Sequence, residues 1–276
     1  MIIPFYKMTG AGNDFIMVDN RDHALSPLLT KGIIARLCNR RFGIGADGLI
    51  AIEPAQNKGN VRMRYYNADG GEAEMCGNGA RCFTAFVCHL SGGKTTTLCF
   101  ETKAGVVQGQ VNRDGSVTIR LTEPNNLKLN IMQAGSIIPA PVHFLNTGVP
   151  HAVVFLPDVE KIDLNKMGAY LRYHHTFAPA GTNADFVTVL SAQHLRLRTY
   201  ERGVEGETLA CGTGITASAL LHAALTGATS PIRVECAGGD TLTVAYTRVG
   251  ESSFSDVTLT GPATLVFRGE ISVPST

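Results

Sequence analysis

Two stretches of the chain are apolar around nearly the whole circumference of a helix. Residues 80–88 and 215–225 carry mostly alanine, phenylalanine, valine and leucine, with few polar interruptions. A helix with this pattern is buried on all sides rather than lying on a surface. Shorter runs at 15–18, 153–156 and 187–190 are rich in β-branched and aromatic residues, which favour strands. The pattern therefore predicts sheets that curve around two central helices.

The two apolar helices belong to an internal repeat. Residues 71–79 and 206–214 share the motif G-E-x-x-x-C-G-x-G. Five further pairs of segments match in the same order: 62–67 with 196–201, 46–47 with 184–185, 9–10 with 147–148, 100–101 with 234–235, and 117–119 with 257–259. Collinear matches about half a chain apart indicate a duplicated fold. We expect two mixed α/β (α+β) domains, residues 1–130 and 131–276, joined by turn-forming residues near 124–140.

Composition excludes several classes of partner. A formal net charge of +1 leaves no polycationic surface for nucleic acid, and no stretch is long and apolar enough for a membrane span. The first residues lack the pattern of a secretory signal, so a cytoplasmic protein is expected. Seven cysteines without a C-x-x-C pair fit neither a disulfide scaffold nor a zinc site. No metal-ligand cluster is evident and no motif requires pyridoxal phosphate, so neither a metal nor another cofactor is expected.

Cys76 and Cys211 each stand immediately before a G-x-G and one of the apolar helices. At a helix N-terminus, unpaired N–H groups and the helix dipole favour a thiolate. The glycines also let a carboxylate approach the backbone N–H groups. The other five cysteines have no counterpart in the opposite half, so we interpret them as packing or surface thiols.

Two acid–base groups in duplicated surroundings suit the inversion of a stereocentre. One group removes a proton from one face of a tetrahedral carbon, and the other returns a proton to the opposite face. A carbon acid next to a carboxylate is very weak, so donors at two helix N-termini would stabilise the enolate-like charge.

Several segments resemble the diaminopimelate epimerase family. Residues 67–82 and 201–214 are similar to its two signature segments, and residues 8–15 and 43–48 also resemble it. The resemblance implies cofactor-independent interconversion of LL- and meso-2,6-diaminopimelate, a step in lysine biosynthesis. It further implies that each domain wraps a sheet around its central helix, that the site lies in the cleft between the domains, and that a homodimer is plausible.

The resemblance also assigns roles to individual residues. It implies that Cys76 and Cys211 form the catalytic acid–base pair and that His151 supports them. The substrate-binding residues it implies are Asn13, Asn67, Gly77, Asn78, Asn183, Glu201, Arg202, Gly212 and Thr213. An arginine, a glutamate and several asparagines supply donors for two carboxylates and acceptors for two ammonium groups.

The chain departs from the family pattern at two places. Val149 stands before Pro150-His151, where the family often has an asparagine that contacts the substrate. The loop 203–207 is one residue longer than expected.

The sequence disfavours a dinucleotide site and is compatible with two alternative functions. The motif Gly43-x-Gly45-x-x-Gly48 follows a helix-like run and precedes a strand-like run, which is the reverse of a dinucleotide site. A related two-cysteine racemase, for proline or hydroxyproline, is the alternative enzyme. A redox-responsive binding protein with a regulatory dithiol is the alternative from another class.

Overall fold

The computed structural model describes residues 2–273. These residues form two compact units, one containing 2–119 and 261–273 and the other containing 120–260. The expected division was two continuous halves that meet at residue 130. The difference arises because the chain enters the second unit earlier, and because its last strand returns to the first unit.

The first unit is a mixed sheet with two helices. Its strands are β1 (Ile2–Gly10), β2 (Asn13–Asp19), β3 (Gly48–Pro54), β4 (Val61–Asn67), β5 (Glu72–Ala73), β6 (Thr97–Thr102), β7 (Gly105–Val111) and β8 (Val117–Arg120), and its helices are α1 (Lys31–Cys38) and α2 (Gly77–Leu90). Strands β1 and β2 are antiparallel, β2 and β3 parallel, β3 and β4 antiparallel, and β4 and β6 parallel. Antiparallel pairing of β6 with β7 and of β7 with β8 completes the run.

The second unit repeats this order. Its strands are β9 (Asn125–Met132), β10 (Val142–Asn146), β11 (Pro150–Phe155), β12 (Asn183–Ser191), β13 (His194–Glu201), β14 (Gly206–Thr208), β15 (Ile232–Cys236), β16 (Thr241–Gly250) and β17 (Ser253–Gly261), and its helices are α3 (Leu164–Arg172) and α4 (Gly212–Thr226). Strands β11 and β12 are parallel, as are β13 and β15, whereas β10–β11, β12–β13 and β15–β16 are antiparallel. The duplication predicted from the sequence is therefore present in the fold.

Each unit contains one strand from the segment that follows the repeat of the other unit. Strand β9 pairs with β10, and β18 (Thr264–Ser272) pairs with β1 in the equivalent position. Residues 125–132 form a strand, whereas the sequence predicted a linker of turn-forming residues near 124–140. Two of the matched dipeptides are also not equivalent, because Thr9-Gly10 ends a strand whereas Thr147-Gly148 lies in a turn, and Asp47 precedes β3 whereas Asp185 lies within β12.

The two predicted central helices are confirmed. Helix α2 contacts β1, β2, β3 and β7, and α4 contacts β10 to β13, β15 and β16. Eleven residues of α4 are buried, including Ile215, Leu220 and Leu221, and many of the others are alanine, serine, threonine or glycine. Small side chains let the strands approach the helix from all sides. Helix α4 ends at Gly227, whose left-handed φ of 76° allows its N–H to bond to the Ala223 carbonyl.

The other helix of each unit covers the opposite face of the sheet. Helix α1 connects the parallel strands β2 and β3, and packs Ile34 and Leu37 into a core with Ile16 and Leu49. Helix α3 connects β11 and β12 and packs against Val154 and Phe186. Crossover helices of this kind are what parallel neighbours require. The described residues contain no helix long and apolar enough to cross a membrane.

Candidate active site

Cys76 is the N-cap residue of α2. Its backbone is extended, and the Gly79 N–H donates to its Sγ at 3.4 Å. Its carbonyl accepts the Ala80 N–H at 2.8 Å, which is the first hydrogen bond of the helix. Gly77 and Asn78 are the first two residues of α2. The predicted placement of this thiol at a helix N-terminus is confirmed, and a backbone N–H bond to sulfur favours the thiolate.

Two of the predicted substrate-binding residues meet beside Cys76. The Asn78 Nδ2 donates to the Asn13 Oδ1 at 2.5 Å, and the Asn13 Nδ2 donates to the Asp47 Oδ2 at 3.0 Å. Behind them the Arg81 guanidinium, fully buried on α2, donates to the Asn78 Oδ1 at 2.9 Å and to the Pro262 carbonyl at 3.3 Å. These bonds fix the orientation of both amides. Sequence reasoning did not single out Arg81, and its only signal was a charge within an apolar helix.

A charged cluster supports Asn13 from the other side. Arg40 donates to both oxygens of Asp14, at 2.8 and 2.7 Å, and to the Asp47 Oδ1 at 2.8 Å. Lys7 forms an ion pair with Asp14 at 2.8 Å. Burial alone would raise the pKa of Asp14, but the hydrogen bonds from Arg40 and Lys7 outweigh it and hold the pKa well below its ordinary value.

Asn67 lies at the end of β4, opposite Gly48, with an exposed side chain. Its backbone N–H donates to the Gly71 carbonyl at 2.9 Å, which closes the turn that leads to Cys76.

Cys211 is the N-cap residue of α4, also with an extended backbone, and Gly212 and Thr213 begin the helix. The Cys211 side chain is buried, and its Sγ lies 3.4 Å from the Thr213 Oγ1. Burial, followed by the nearby carboxylates of Glu201 and Asp185, raises the pKa of this thiol well above its ordinary value. The Gly214 N–H at the start of α4 lowers the pKa of Cys211, as the helix placement predicts, but desolvation and negative charge outweigh this effect.

His151 lies next to Cys211 through Thr213. Its Nε2 is 2.9 Å from the Thr213 Oγ1, and its Nδ1 is 2.6 Å from the Asp185 Oδ2. The other oxygen of Asp185 accepts the Thr199 hydroxyl at 2.7 Å. His151 and Asp185 are both fully buried. Sequence reasoning missed Asp185, which it noted only as part of a matched dipeptide; its position depends on the register of β11 and β12.

The remaining predicted residues of the second unit gather at the ends of β12 and β13. The Asn183 Oδ1 accepts the Arg202 backbone N–H at 2.8 Å, and its Nδ2 donates to the Pro150 carbonyl at 3.0 Å. The Thr208 hydroxyl donates to the Glu201 Oε2 at 2.8 Å. The structure thus brings Asn183, Glu201 and Arg202 to one corner of the unit.

Arg202 borders a cavity of about 420 Å³ within the second unit. Phe144 and Phe177 form apolar walls of this cavity, and Lys128 supplies a second cation. The Arg202 guanidinium donates to the Ala180 carbonyl at 3.1 Å, which holds it at the cavity rim. A cavity with two cations is suited to a carboxylate.

The two departures from the family pattern both lie in tight turns. Val149 is half-buried in the turn between β10 and β11, and its carbonyl accepts the Thr147 N–H at 3.2 Å. In the longer loop, Glu205 adopts a left-handed φ of 57°, and its carboxylate bonds to Arg172 at 3.0 Å. The extra residue is accommodated in the loop without a break in the pairing of β13 with β14.

Comparisons with known proteins identify relatives along nearly the whole chain. The family model described as diaminopimelate epimerase matches residues 5–127 and 143–266. The diaminopimelate epimerase of Aquifex aeolicus (strain VF5) is 40% identical over 278 residues, which cover 97% of both chains. That of Chlorobaculum tepidum is 39% identical and covers 96% of this chain and 100% of the relative.

Solved structures of more distant proteins share the fold. A phenazine biosynthesis protein of the PhzF family from Bacillus anthracis superimposes with a TM-score of 0.73 at 17% identity, covering 99% of this chain and 100% of that one. A probable proline racemase from Agrobacterium radiobacter K84 gives a TM-score of 0.69 at 17% identity, with 99% and 93% coverage. These likenesses confirm the predicted class of two pseudo-symmetric mixed α/β domains. The family match over both repeats and the two close relatives show that this chain belongs to the diaminopimelate epimerase family, whose members are cofactor-independent isomerases.

Proposed function

We propose that this protein interconverts LL- and meso-2,6-diaminopimelate by removing a proton from the α-carbon and returning one to its opposite face. The observation that carries the proposal is that each unit begins its central helix immediately after a cysteine, Cys76 or Cys211. The family match supplies the substrate.

In the proposed reaction one cysteine starts as a thiolate and the other as a thiol. The thiolate takes the α-proton, the electron pair moves toward the carboxylate, and the thiol delivers its proton to the other face of the carbon. This mechanism requires both sulfur atoms to reach the same carbon. The N–H groups at Gly77, Asn78, Gly212 and Thr213 are proposed to hold the reacting carboxylate, because helix N-termini stabilise the charge that develops there.

The distal end of the substrate carries a second ammonium and a second carboxylate. Asn13, Asn67, Asn183, Glu201 and Arg202 are proposed to bind these groups. The support comes from their chemistry: Arg202 donates to carboxylates, Glu201 accepts from ammonium groups, and the asparagines do both. Proline has no second charged end, so this set favours diaminopimelate over proline.

The test is a chiral assay of the purified protein with LL-diaminopimelate in deuterated buffer, without any added cofactor. We expect meso product with deuterium at the inverted α-carbon. Cys76→Ser and Cys211→Ser should each reduce turnover by at least 10³-fold, since each direction needs both groups. The matched control is Cys99→Ser, because Cys99 lies in β6 outside the site, and this variant should keep full activity.

Three results would contradict the proposal. Near-normal turnover in either serine variant would exclude a two-cysteine mechanism. Racemisation of proline but not of diaminopimelate would indicate the alternative enzyme. Absence of any solvent exchange at the α-carbon, with retained affinity for the amino acid, would indicate a binding protein.

We further propose that the protein acts in the cytoplasm on a small molecule and forms a homodimer. All seven cysteines are free thiols in the structure, and the proposed chemistry needs reduced sulfur, as a reducing compartment provides. Cell fractionation tests the location. Analytical ultracentrifugation tests the dimer, which a sedimentation mass of one chain, 29.4 kDa, would contradict.

A further inference from the structure

A continuous chain of hydrogen bonds leads from the interior of the second unit to Cys211. It begins with the Thr199 hydroxyl, which donates to Asp185 at 2.7 Å. Asp185 contacts the His151 Nδ1 at 2.6 Å, the His151 Nε2 contacts Thr213 at 2.9 Å, and Thr213 contacts the Cys211 Sγ at 3.4 Å. Every member is buried except Thr213, which is half-buried.

The direction of this chain follows from the groups in it. A carboxylate only accepts, so the proton between Asp185 and His151 belongs to the Nδ1 of the imidazole. The Nε2 of a neutral imidazole is then an acceptor, and the Thr213 hydroxyl must donate its single proton to it. Because the single hydroxyl proton of Thr213 is donated to His151, Thr213 can only accept a hydrogen bond from Cys211. The Cys211 sulfur must therefore donate its S–H. A thiolate at Cys211 would lack a donor from this hydroxyl.

We propose that Asp185 is a positioning residue that sets the direction of this hydrogen-bond chain and thereby keeps Cys211 in the thiol form in the free enzyme. This inference rests on the proposed function for its purpose, because a thiol is the form that delivers a proton to the substrate. The hydrogen-bond chain is present in the folded protein without substrate.

Among the described residues of the first unit, no equivalent pair of histidine and aspartate lies behind Cys76. His151 and Asn183 form the first pair of the parallel β11–β12 ladder, and Asp185 stands two residues further along β12. The corresponding first pair of the β2–β3 ladder is Phe15 with Gly48, so the equivalent of Asp185 is Ile50.

The helix glycines confirm this equivalence independently. A Cβ on Gly214 would lie 2.5 Å from the Asp185 Oδ1, and a Cβ on Gly79, at the same place in α2, would lie 2.9 Å from the Ile50 Cδ1. Both cysteines accept a backbone N–H from the third residue of their helix, Gly79 or Gly214. The two sites differ in that the apolar Ile50 stands at the place that Asp185 and its hydrogen-bond chain occupy beside Cys211.

The surroundings of Cys211 agree with this direction. The titratable groups that face it are Glu201 on β13, Asp185 on β12 and His151 on β11, and two of these are carboxylates. Burial and the two carboxylates raise the pKa of the thiol and outweigh the hydrogen bonds at Thr213 and the Gly214 backbone N–H, which lower it. The net direction is the same as the proposed effect of the hydrogen-bond chain.

Asp185→Asn reverses the chain without removing a heavy atom. The amide oxygen can keep the Thr199 bond, so its Nδ2 donates to the His151 Nδ1 and the imidazole proton moves to Nε2. Thr213 then accepts from His151 and donates to Cys211, which stabilises the thiolate. We expect the pH midpoint of Cys211 alkylation by iodoacetamide to fall by about one pH unit, so that alkylation at neutral pH becomes about tenfold faster. Mass spectrometry of the Cys211 peptide separates this signal from the other cysteines.

A second background separates the hydrogen-bond chain from the simple loss of a charge. Thr213→Val removes the hydroxyl that connects His151 to the sulfur, so in this background Asp185→Asn should shift the midpoint by less than half as much. An equal shift in both backgrounds, no shift, or a shift to higher pH would overturn the proposal. Looser packing would instead accelerate alkylation at every pH without moving the midpoint, which would also overturn it.

The wild-type protein provides a measurement that does not depend on any variant folding. Nitrogen-15 NMR of the imidazoles should show His151 protonated at Nδ1 and unprotonated at Nε2; the opposite tautomer would refute the proposal. None of these measurements uses diaminopimelate. An inactive protein with the expected midpoints would therefore refute the proposed function alone, whereas an active one without them would refute only the role of Asp185.

Discussion

Gly79 and Gly214 are the third residues of α2 and α4, and alanine at these equivalent positions should have very different effects. At Gly79 the new methyl would meet the end of the Ile50 side chain at 2.9 Å. A terminal methyl can move aside, at a cost of about 1 kcal/mol. Alanine also gains up to about 0.8 kcal/mol over glycine in a helix. We therefore expect Gly79→Ala to change the free energy of unfolding by less than about 1 kcal/mol.

At Gly214 the methyl would lie 2.5 Å from a carboxylate oxygen of Asp185. That oxygen accepts the Thr199 hydroxyl, and the other is held by His151. Overpacking costs about 1–3 kcal/mol, and weakening a hydrogen bond to a charged group costs about 1.5–3 kcal/mol. After the gain from helix propensity, we expect Gly214→Ala to destabilise the protein by about 3 kcal/mol.

Differential scanning calorimetry of the two variants beside the wild type measures this contrast. For a unit of this size, about 3 kcal/mol corresponds to a decrease in Tm of roughly 6–12 °C. Gly214→Ala should also shift the alkylation midpoint of Cys211, since it displaces Asp185. If the two variants had the same Tm within 2 °C, the argument that Asp185 is rigidly held would be refuted.

Three further substitutions test other parts of the site. Val149→Asn restores the polar residue that the family often has, and should lower KM for diaminopimelate about 2–10-fold with little change in kcat; an unchanged or higher KM would contradict this. Asp14→Asn removes a carboxylate whose pKa Arg40 and Lys7 lower in the folded protein, so the wild type should lose more stability than the variant in urea unfolding as the pH falls from 5 to 3. In this range the unfolded chain takes up a proton at Asp14 while the folded protein keeps the carboxylate ionised, and parallel curves would contradict this. Arg81→Lys cannot reproduce the planar bonds that hold Asn78, and should lower kcat/KM about tenfold; wild-type kinetics would contradict this.

The sequence alone was sufficient for those features that leave a local pattern. The two apolar helices, the cysteines before them and the duplication of the fold all follow from periodicity and from the repeat. Helix α3 was not predicted, although Leu164, Met167 and Leu171 have helical spacing. Polar residues dominate that segment, and its apolar side appears only when it packs against the sheet.

Contacts that depend on strand register could not be predicted. The pairing of His151 with Asp185 requires β11 and β12 to be parallel in one particular register, and a shift of one residue would turn Asp185 to the opposite face. The return of β18 to the first unit is likewise a matter of topology. Periodicity identifies strands but does not choose their partners.

The two duplicated cysteines have different surroundings, and the proposed reaction requires such a difference. A two-base reaction starts only from enzyme that carries one thiolate and one thiol. If both sulfur atoms had the same protonation equilibrium, most molecules would carry two thiols below the shared midpoint and two thiolates above it, and activity would be confined to a narrow pH range. Both thiols accept a backbone N–H, but burial and the nearby carboxylates raise the pKa of Cys211, and the proposed direction of the hydrogen-bond chain acts in the same sense. These features move the equilibrium of Cys211 away from that of Cys76. The active mixed state then persists over the interval between them. The plot of kcat/KM against pH should accordingly have a broad plateau, and Asp185→Asn should narrow it from the alkaline side.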